Sequence, residues 1–243
     1  MGTTDLKKFA YLKKPFLFTA AAAMAATAAA QSAPLLGPQK KVPWGAMVTE
    51  TEGGHLIGNP DAKGKLVEYM SYTCSHCAEF ARTGEGAIKL LYVPTGKVSY
   101  EIRHLIRDPV DLTAALAAQC GDPIKFPGNH EALILKHDEW MAKARTVTQA
   151  QKARWSFGSF GSRAQAIASD LDFYQIMERR GYSRTSLNQC LTDEAKAKSI
   201  ADQSQADIDA HSLSGTPTFI MDGKKIDAHD WTGVQPHLDK FFR

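Results

Sequence analysis

The sequence predicts an α/β protein in which a mixed sheet is interrupted by an all-helical insertion. Three observations predict it. Apolar runs at residues 65–71 (KLVEYMS) and 98–106 (VSYEIRHLI) flank a Cys-x-x-Cys segment that opens a helix. Residues 109–211 carry helical periodicity and no strand signal. Strand character returns at residues 218–221, and Asp222-Gly223 separates it from residues 224–226. Glycine tolerates the positive φ of a primed turn, so this pair marks a hairpin.

Taken in order, the chain begins with Lys7, Lys8, Lys13 and Lys14 ahead of an alanine-rich apolar stretch ending in Ala28-Ala29-Ala30. This is the pattern of a cleavable export signal over residues 1–30, and it places the remainder in the periplasm. Those four lysines against Asp5 account for the whole formal net charge of +3. The rest of the chain is formally neutral, with no basic stripe for nucleic acid and no polybasic run for an anionic membrane. No later segment approaches the roughly 18 consecutive apolar residues of a membrane span.

Residues 31–53 are rich in proline and glycine and read as an extended arm, pinned by Trp44. Gly58-Asn59-Pro60-Asp61 is a turn signal. In the strand at 98–106, Val98, Tyr100, Ile102, His104 and Ile106 share one face because side chains alternate. A helix is expected over 78–91, although Gly84 and Gly86 weaken it. Helical patterns follow at 112–120, 129–144, 163–170, 173–180 and 193–210, punctuated by Gly121-Asp122-Pro123, Pro127-Gly128 and Gly181. A short helix at 234–242 closes the chain.

Cys74 and Cys77 stand three positions apart at a strand-to-helix junction, which puts both thiols on one helical face. Cys74 meets the free N–H groups and positive dipole end of that helix, and His76 adds a donor or a positive charge. All of these favour thiolate and make Cys74 a good leaving group. A zinc site would need a second closely spaced pair, whereas Cys120 and Cys190 are far apart in the chain. A purely structural Cys-x-x-Cys bridge closes too small a loop to stabilise much. The pattern calls for no metal and no cofactor.

Glu68 lies inside the apolar run Leu66-Val67-Glu68-Tyr69-Met70. Burial raises a carboxyl's pKa, and beneath the cysteines it would exchange a proton with Cys77 as that thiol leaves; the alternative is a strand face open to solvent. Thr216-Pro217 begins the late strand. The base rate favours a trans bond, and Pro217, lacking an N–H, would present a backbone edge to a substrate strand. His104, His130, His137 and His211 match no metal-ligand spacing and read as core or surface residues. Trp155, Phe157 and Phe160 read as helix packing, with an exposed peptide-binding patch as the alternative.

The stretch from Leu66 to Phe80, with Tyr72-Thr73-Cys74-Ser75-His76-Cys77 at its centre and Gly215-Thr216-Pro217-Thr218-Phe219 downstream, resembles the DsbA-like bacterial disulfide oxidoreductases. The resemblance covers nearly all of the chain after residue 30. It implies a thioredoxin fold built from residues 31–108 and 212–243, with a helical domain inserted at 109–211. It implies Cys74 as exposed nucleophile, Cys77 as buried partner, His76 as thiolate stabiliser, Glu68 as buried acid and Pro217 as a cis-proline. Thr216 and Pro217 would then contact substrate. Cys120 and Cys190 resemble a second, structural disulfide found in one branch of the family. Two positions differ from the best-known oxidases: Ser75 replaces a proline, and Thr216 is a choice also found in isomerase-type relatives. The implied activity is disulfide donation to reduced exported proteins, with reoxidation by a quinone-linked inner-membrane partner. The alternatives are an isomerase or reductase on the same site, or a redox-silent peptide-binding or chaperone domain.

Overall fold

A computed structural model describes residues 43–243. The export signal expected at residues 1–30 and the first part of the arm lie outside the described residues. Six strands, β1 (Val48–Glu50), β2 (Gly54–Gly58), β3 (Gly64–Met70), β4 (Val98–His104), β5 (Thr218–Met221) and β6 (Lys224–Ile226), form one sheet in the order β1-β2-β4-β3-β5-β6. Strands β3 and β4 run parallel, and every other neighbouring pair is antiparallel. The register places Glu68 between Ile102 of β4 and Phe219 of β5.

The reading of residues 31–53 as an arm is corrected where it is described, because β1 falls within it and β2 begins just after. Runs as short and polar as VTE and GHLIG carry little periodicity. Their backbone groups are satisfied by pairing, with β2 bonded to β4 from Gly54↔Arg103 to Gly58↔Ser99. Trp44 does pin this segment: a Cβ added at Gly96 would come within 2.6 Å of its indole nitrogen. At the β5–β6 hairpin, Asp222 and Gly223 take φ of 51° and 77°, the two positive values a type I′ turn requires.

Between β3 and β4 runs α1 (Ser75–Phe80), which continues through π-helical turns at Ala81–Glu85 and Ile88–Tyr92. Gly84 fits this helix because it sits under the Phe80 ring, 2.8 Å from where a Cβ would lie. Between β4 and β5 come α2 (Pro109–Ala118), α3 (Phe126–Ile134), α4 (His137–Arg145), α5 (Gln149–Ser156), α6 (Phe160–Asp170), α7 (Phe173–Glu178), α8 (Arg184–Leu191) and α9 (Glu194–His211). Helix α10 (Trp231–Asp239) follows the hairpin.

The single helix expected at 129–144 is two. The indole of Trp140 donates to the Leu133 carbonyl at 3.0 Å, so that oxygen is satisfied by a side chain where the chain turns. Helices α5 and α8 escaped the periodicity, although Thr148 and Gln151 form a reciprocal capping box ahead of α5. Cys120, just past α2, and Cys190 of α8 are bonded, with Cα atoms 5.6 Å apart and 70 residues between them in sequence.

Candidate active site

The site is assembled where the C-terminal end of β3 meets the start of α1. Side chains alternate along β3, so Leu66, Glu68 and Met70 point to the face that α1 covers, where Cys77, Phe80 and Ile88 are also buried. Cys74 occupies the N-cap position of α1 with extended backbone, and Cys77 lies in the first turn. The two sulfurs are not bonded to each other. The Thr216-Pro217 bond is cis, and the loop before β5 lies over the pair. The Cys74 sulfur lies 3.2 Å from the Thr216 carbonyl oxygen.

This loop changes one expectation. Cys74 is only 5% exposed, because Thr216 covers it. It still borders a groove of about 540 Å³ that Thr73, His76, Arg107 and Gly215 help to line.

The two thiols are driven apart electrostatically. The Cys77 thiol, donating its hydrogen bond, holds Cys74 down to about 4, helped by the Thr216 side chain and by the backbone N–H groups of Cys77 and His76, against the opposing effect of burial. Burial pushes Cys77 well above the ordinary thiol value, and donation to Cys74 and the nearby Glu68 carboxyl push the same way. The imidazole of His76 is exposed, so the contact this residue makes with Cys74 runs through its backbone.

Glu68 is 1% exposed, which settles the choice between core and solvent for this side chain. The Tyr100 hydroxyl donates to its Oε2, while Oε1 has no partner among the described residues. Burial, then the charge of Glu85, raises Glu68 well above the usual carboxylate range. Burial thus favours the neutral form of both the Glu68 carboxyl and the Cys77 thiol.

Several site residues carry no sequence signal of their own. Glu85, buried in the helix that continues α1, accepts from Lys89 at 3.2 Å and shares a 2.8 Å hydrogen bond with His130 Nε2. Burial pushes Glu85 up, but His130 and Lys89 outweigh it and hold the carboxyl low. His130 Nδ1 meets the Tyr72 hydroxyl at 2.9 Å, so the chain of contacts returns to the residue two before Cys74. Asp111 of α2, fully buried, accepts from Ser71 Oγ at 2.6 Å, Tyr72 N at 2.8 Å and Arg107 N at 3.0 Å. Burial raises it to about 7 against these donors. Asp108 caps α2 and also accepts from Thr73 Oγ1 at 2.9 Å. The loop carrying Cys74 is therefore tied to the first turn of the helical insertion. Asp108-Pro109 does read as a helix start, and that much was available in the sequence; the partners of Asp111 were not.

The profile of the thioredoxin family matches residues 50–240. A crystal structure named as a protein-disulfide isomerase from Novosphingobium aromaticivorans is 41% identical, covering 79% of this chain and 98% of that one, with a TM-score of 0.74. Wolbachia pipientis alpha-DsbA1 shares the fold at 24% identity, over 77% of this chain and 89% of its own, with a TM-score of 0.59. A Rickettsia bellii protein whose name proposes protein-disulfide oxidoreductase activity is 25% identical over 78% of this chain and 64% of its own length. The chain thus spans a little under two thirds of the Rickettsia relatives it matches. The sheet order, the cysteine pair at the start of α1 and a match over most of the length agree, and the chain belongs to the thioredoxin family.

Proposed function

We propose that this protein is a thiol:disulfide oxidoreductase that donates a Cys74–Cys77 disulfide to reduced, exported proteins. The observation that carries this reading is the asymmetry of the pair: Cys74 is held down to about 4 while Cys77 is pushed up, as is the buried Glu68. A low-pKa thiolate is a good leaving group and stabilises the reduced form, which makes the oxidised form a strong oxidant.

The steps follow from that asymmetry. A substrate thiolate attacks Cys74 Sγ of the oxidised pair, so one S–S bond forms and the Cys74–Cys77 bond breaks. Cys77 leaves as thiolate and takes the proton of Glu68, whose raised pKa favours the protonated form that can donate. The substrate's second thiolate then attacks its own bonded sulfur and expels Cys74, which stays ionised. Two substrate thiols are oxidised and the pair is reduced by the same two electrons. Recycling requires an external oxidant, and a quinone-linked protein of the inner membrane fits a periplasmic location. Pro217, with no N–H, and Thr216 offer a backbone edge over Cys74 along which an extended substrate can lie.

Isomerase chemistry on the same site is the second reading. It is favoured by the 41% identity to the Novosphingobium protein named as an isomerase. Trapping tests the shared mechanism. A Cys77→Ser variant is expected to accumulate mixed disulfides with a reduced, unfolded protein on non-reducing gels, and Cys74→Ser to form none. Equal turnover by Cys74→Ser and the parent protein would end this reading.

A further inference from the structure

Cys74 stands at one end of a longer trough. The groove of about 540 Å³ beside it shares Thr73 and Arg107 with a second of about 560 Å³. That one shares Asp108, Pro109, Trp155 and Ser156 with a third of about 380 Å³. The path crosses from the reactive loop onto the helical insertion. Its walls there are apolar: Pro109, Met141 and Trp155 in the middle, then Leu112, Phe160 and Ile167 at the far end.

The rim is cationic. Arg107 and Lys152 are exposed and Arg163 is half-buried, and none has an acidic partner among the described residues. Asp108 is the acid in the lining, and its carboxylate is occupied by Thr73 and by the backbone of Val110 and Asp111. Asp170 nearby is taken by Arg154 and by the Trp155 indole at 2.8 Å. The chain beyond residue 30 is formally neutral, so three cations against the single carboxylate of Asp108 along one apolar trough are a local excess of positive charge.

The geometry points to a specificity site: the trough from Cys74 to Trp155 takes the segment of the reduced substrate polypeptide next to its reacting cysteine, and it prefers apolar side chains accompanied by Asp or Glu. The inference rests on the proposed disulfide exchange at Cys74, since that bond anchors one end of the segment. Apolar walls supply affinity through burial. Rim cations supply selectivity and encounter rate for acidic sequences and repel basic ones.

The test uses the oxidised full chain and three blocked peptides with one central cysteine. The first has leucine and phenylalanine flanked by glutamates, the second the same apolar residues flanked by lysines, and the third glutamates with serines in place of the apolar pair. Stopped-flow rates of mixed-disulfide formation at Cys74 are compared with the rate of reduction by dithiothreitol, an uncharged dithiol. The first peptide is expected to react at least about tenfold faster than the second at low ionic strength. That gap should close in about 1 M salt, where screening acts over about 3 Å. The first peptide should also react several-fold faster than the third. Combining Lys152→Glu with Arg163→Glu should reverse the charge preference. Equal peptide rates alongside normal dithiothreitol oxidation would overturn the trough and leave the redox site standing. A charge preference untouched by the double reversal would place recognition elsewhere. If dithiothreitol were not oxidised either, the redox reading would fall and the trough with it.

Discussion

The Cys74 sulfur lies 3.2 Å from the Thr216 carbonyl although 142 residues separate the two in sequence. The contact joins the Cys-x-x-Cys turn to the loop that precedes β5, and the Thr216 side chain also helps to lower Cys74. Thr216→Val keeps the carbonyl and removes the hydroxyl. The Cys74 pKa, followed by thiolate absorbance, is expected to rise by about one unit, equivalent to about 1.4 kcal/mol of differential stabilisation of the thiolate. An unchanged titration would assign the lowering to the helix start and Cys77 alone.

The same titration couples to stability. Cys74 has a folded-state pKa lowered from about 9 to about 4, so its contribution is fully present above the unfolded value and is lost as pH falls through about 4. Cys77 is raised and stays neutral through that window. Urea denaturation of the reduced protein, measured against the oxidised one, should therefore show a reduced-state advantage near pH 8 that shrinks steadily toward pH 4.

Glu68 has the opposite sign. Its pKa is raised by burial, so folding favours the protonated acid, and stability is lost as pH rises above the ordinary carboxylate value. Glu68→Gln keeps the shape without the charge. It should match the parent near pH 4 and exceed it by at least about 1 kcal/mol near pH 8, the equivalent of about one pKa unit. It should also slow mixed-disulfide formation, because the proton for Cys77 is gone. Denaturant midpoints at the two pH values read the first effect and stopped-flow kinetics the second.

The bridge between Cys120 and Cys190 closes a 70-residue loop, worth on the order of 4 kcal/mol in the chain-entropy treatment. Replacing both with alanine should cost roughly 2–5 kcal/mol in urea denaturation. The potential of the Cys74–Cys77 pair should stay where it was, since Cys190 and Cys120 sit in the helical block.

Asp111→Ala removes the acceptor shared by Ser71 Oγ, Tyr72 N and Arg107 N. Each buried donor left without a partner costs about 1–3 kcal/mol. The variant should be strongly destabilised and should show a raised Cys74 pKa, because the loop holding that residue loosens.

What the sequence disclosed at this site was local. Cys74 and Cys77 announce themselves by spacing, and Glu68 by being an acid in an apolar run. Thr216-Pro217 could be placed at the start of a strand, but only the family resemblance pointed to the cis bond. Asp111, Glu85 and His130 stayed hidden because their meaning lies in partners far along the chain: Asp111 is 40 residues from Ser71, and His130 is 45 from Glu85. Strands β1 and β2 were missed for a related reason, since runs of three and five residues owe their conformation to β4 more than to their own pattern. The exposure of Cys74 was overestimated because the covering group, Thr216, comes from the other end of the fold.

The reduction potential of the Cys74–Cys77 pair, titrated in glutathione buffers, tests disulfide donation most directly. A thiolate as stabilised as Cys74 predicts a value toward the strongly oxidising end of the family, about −120 mV. A value of about −180 mV or lower would contradict donation and favour isomerase or reductase chemistry.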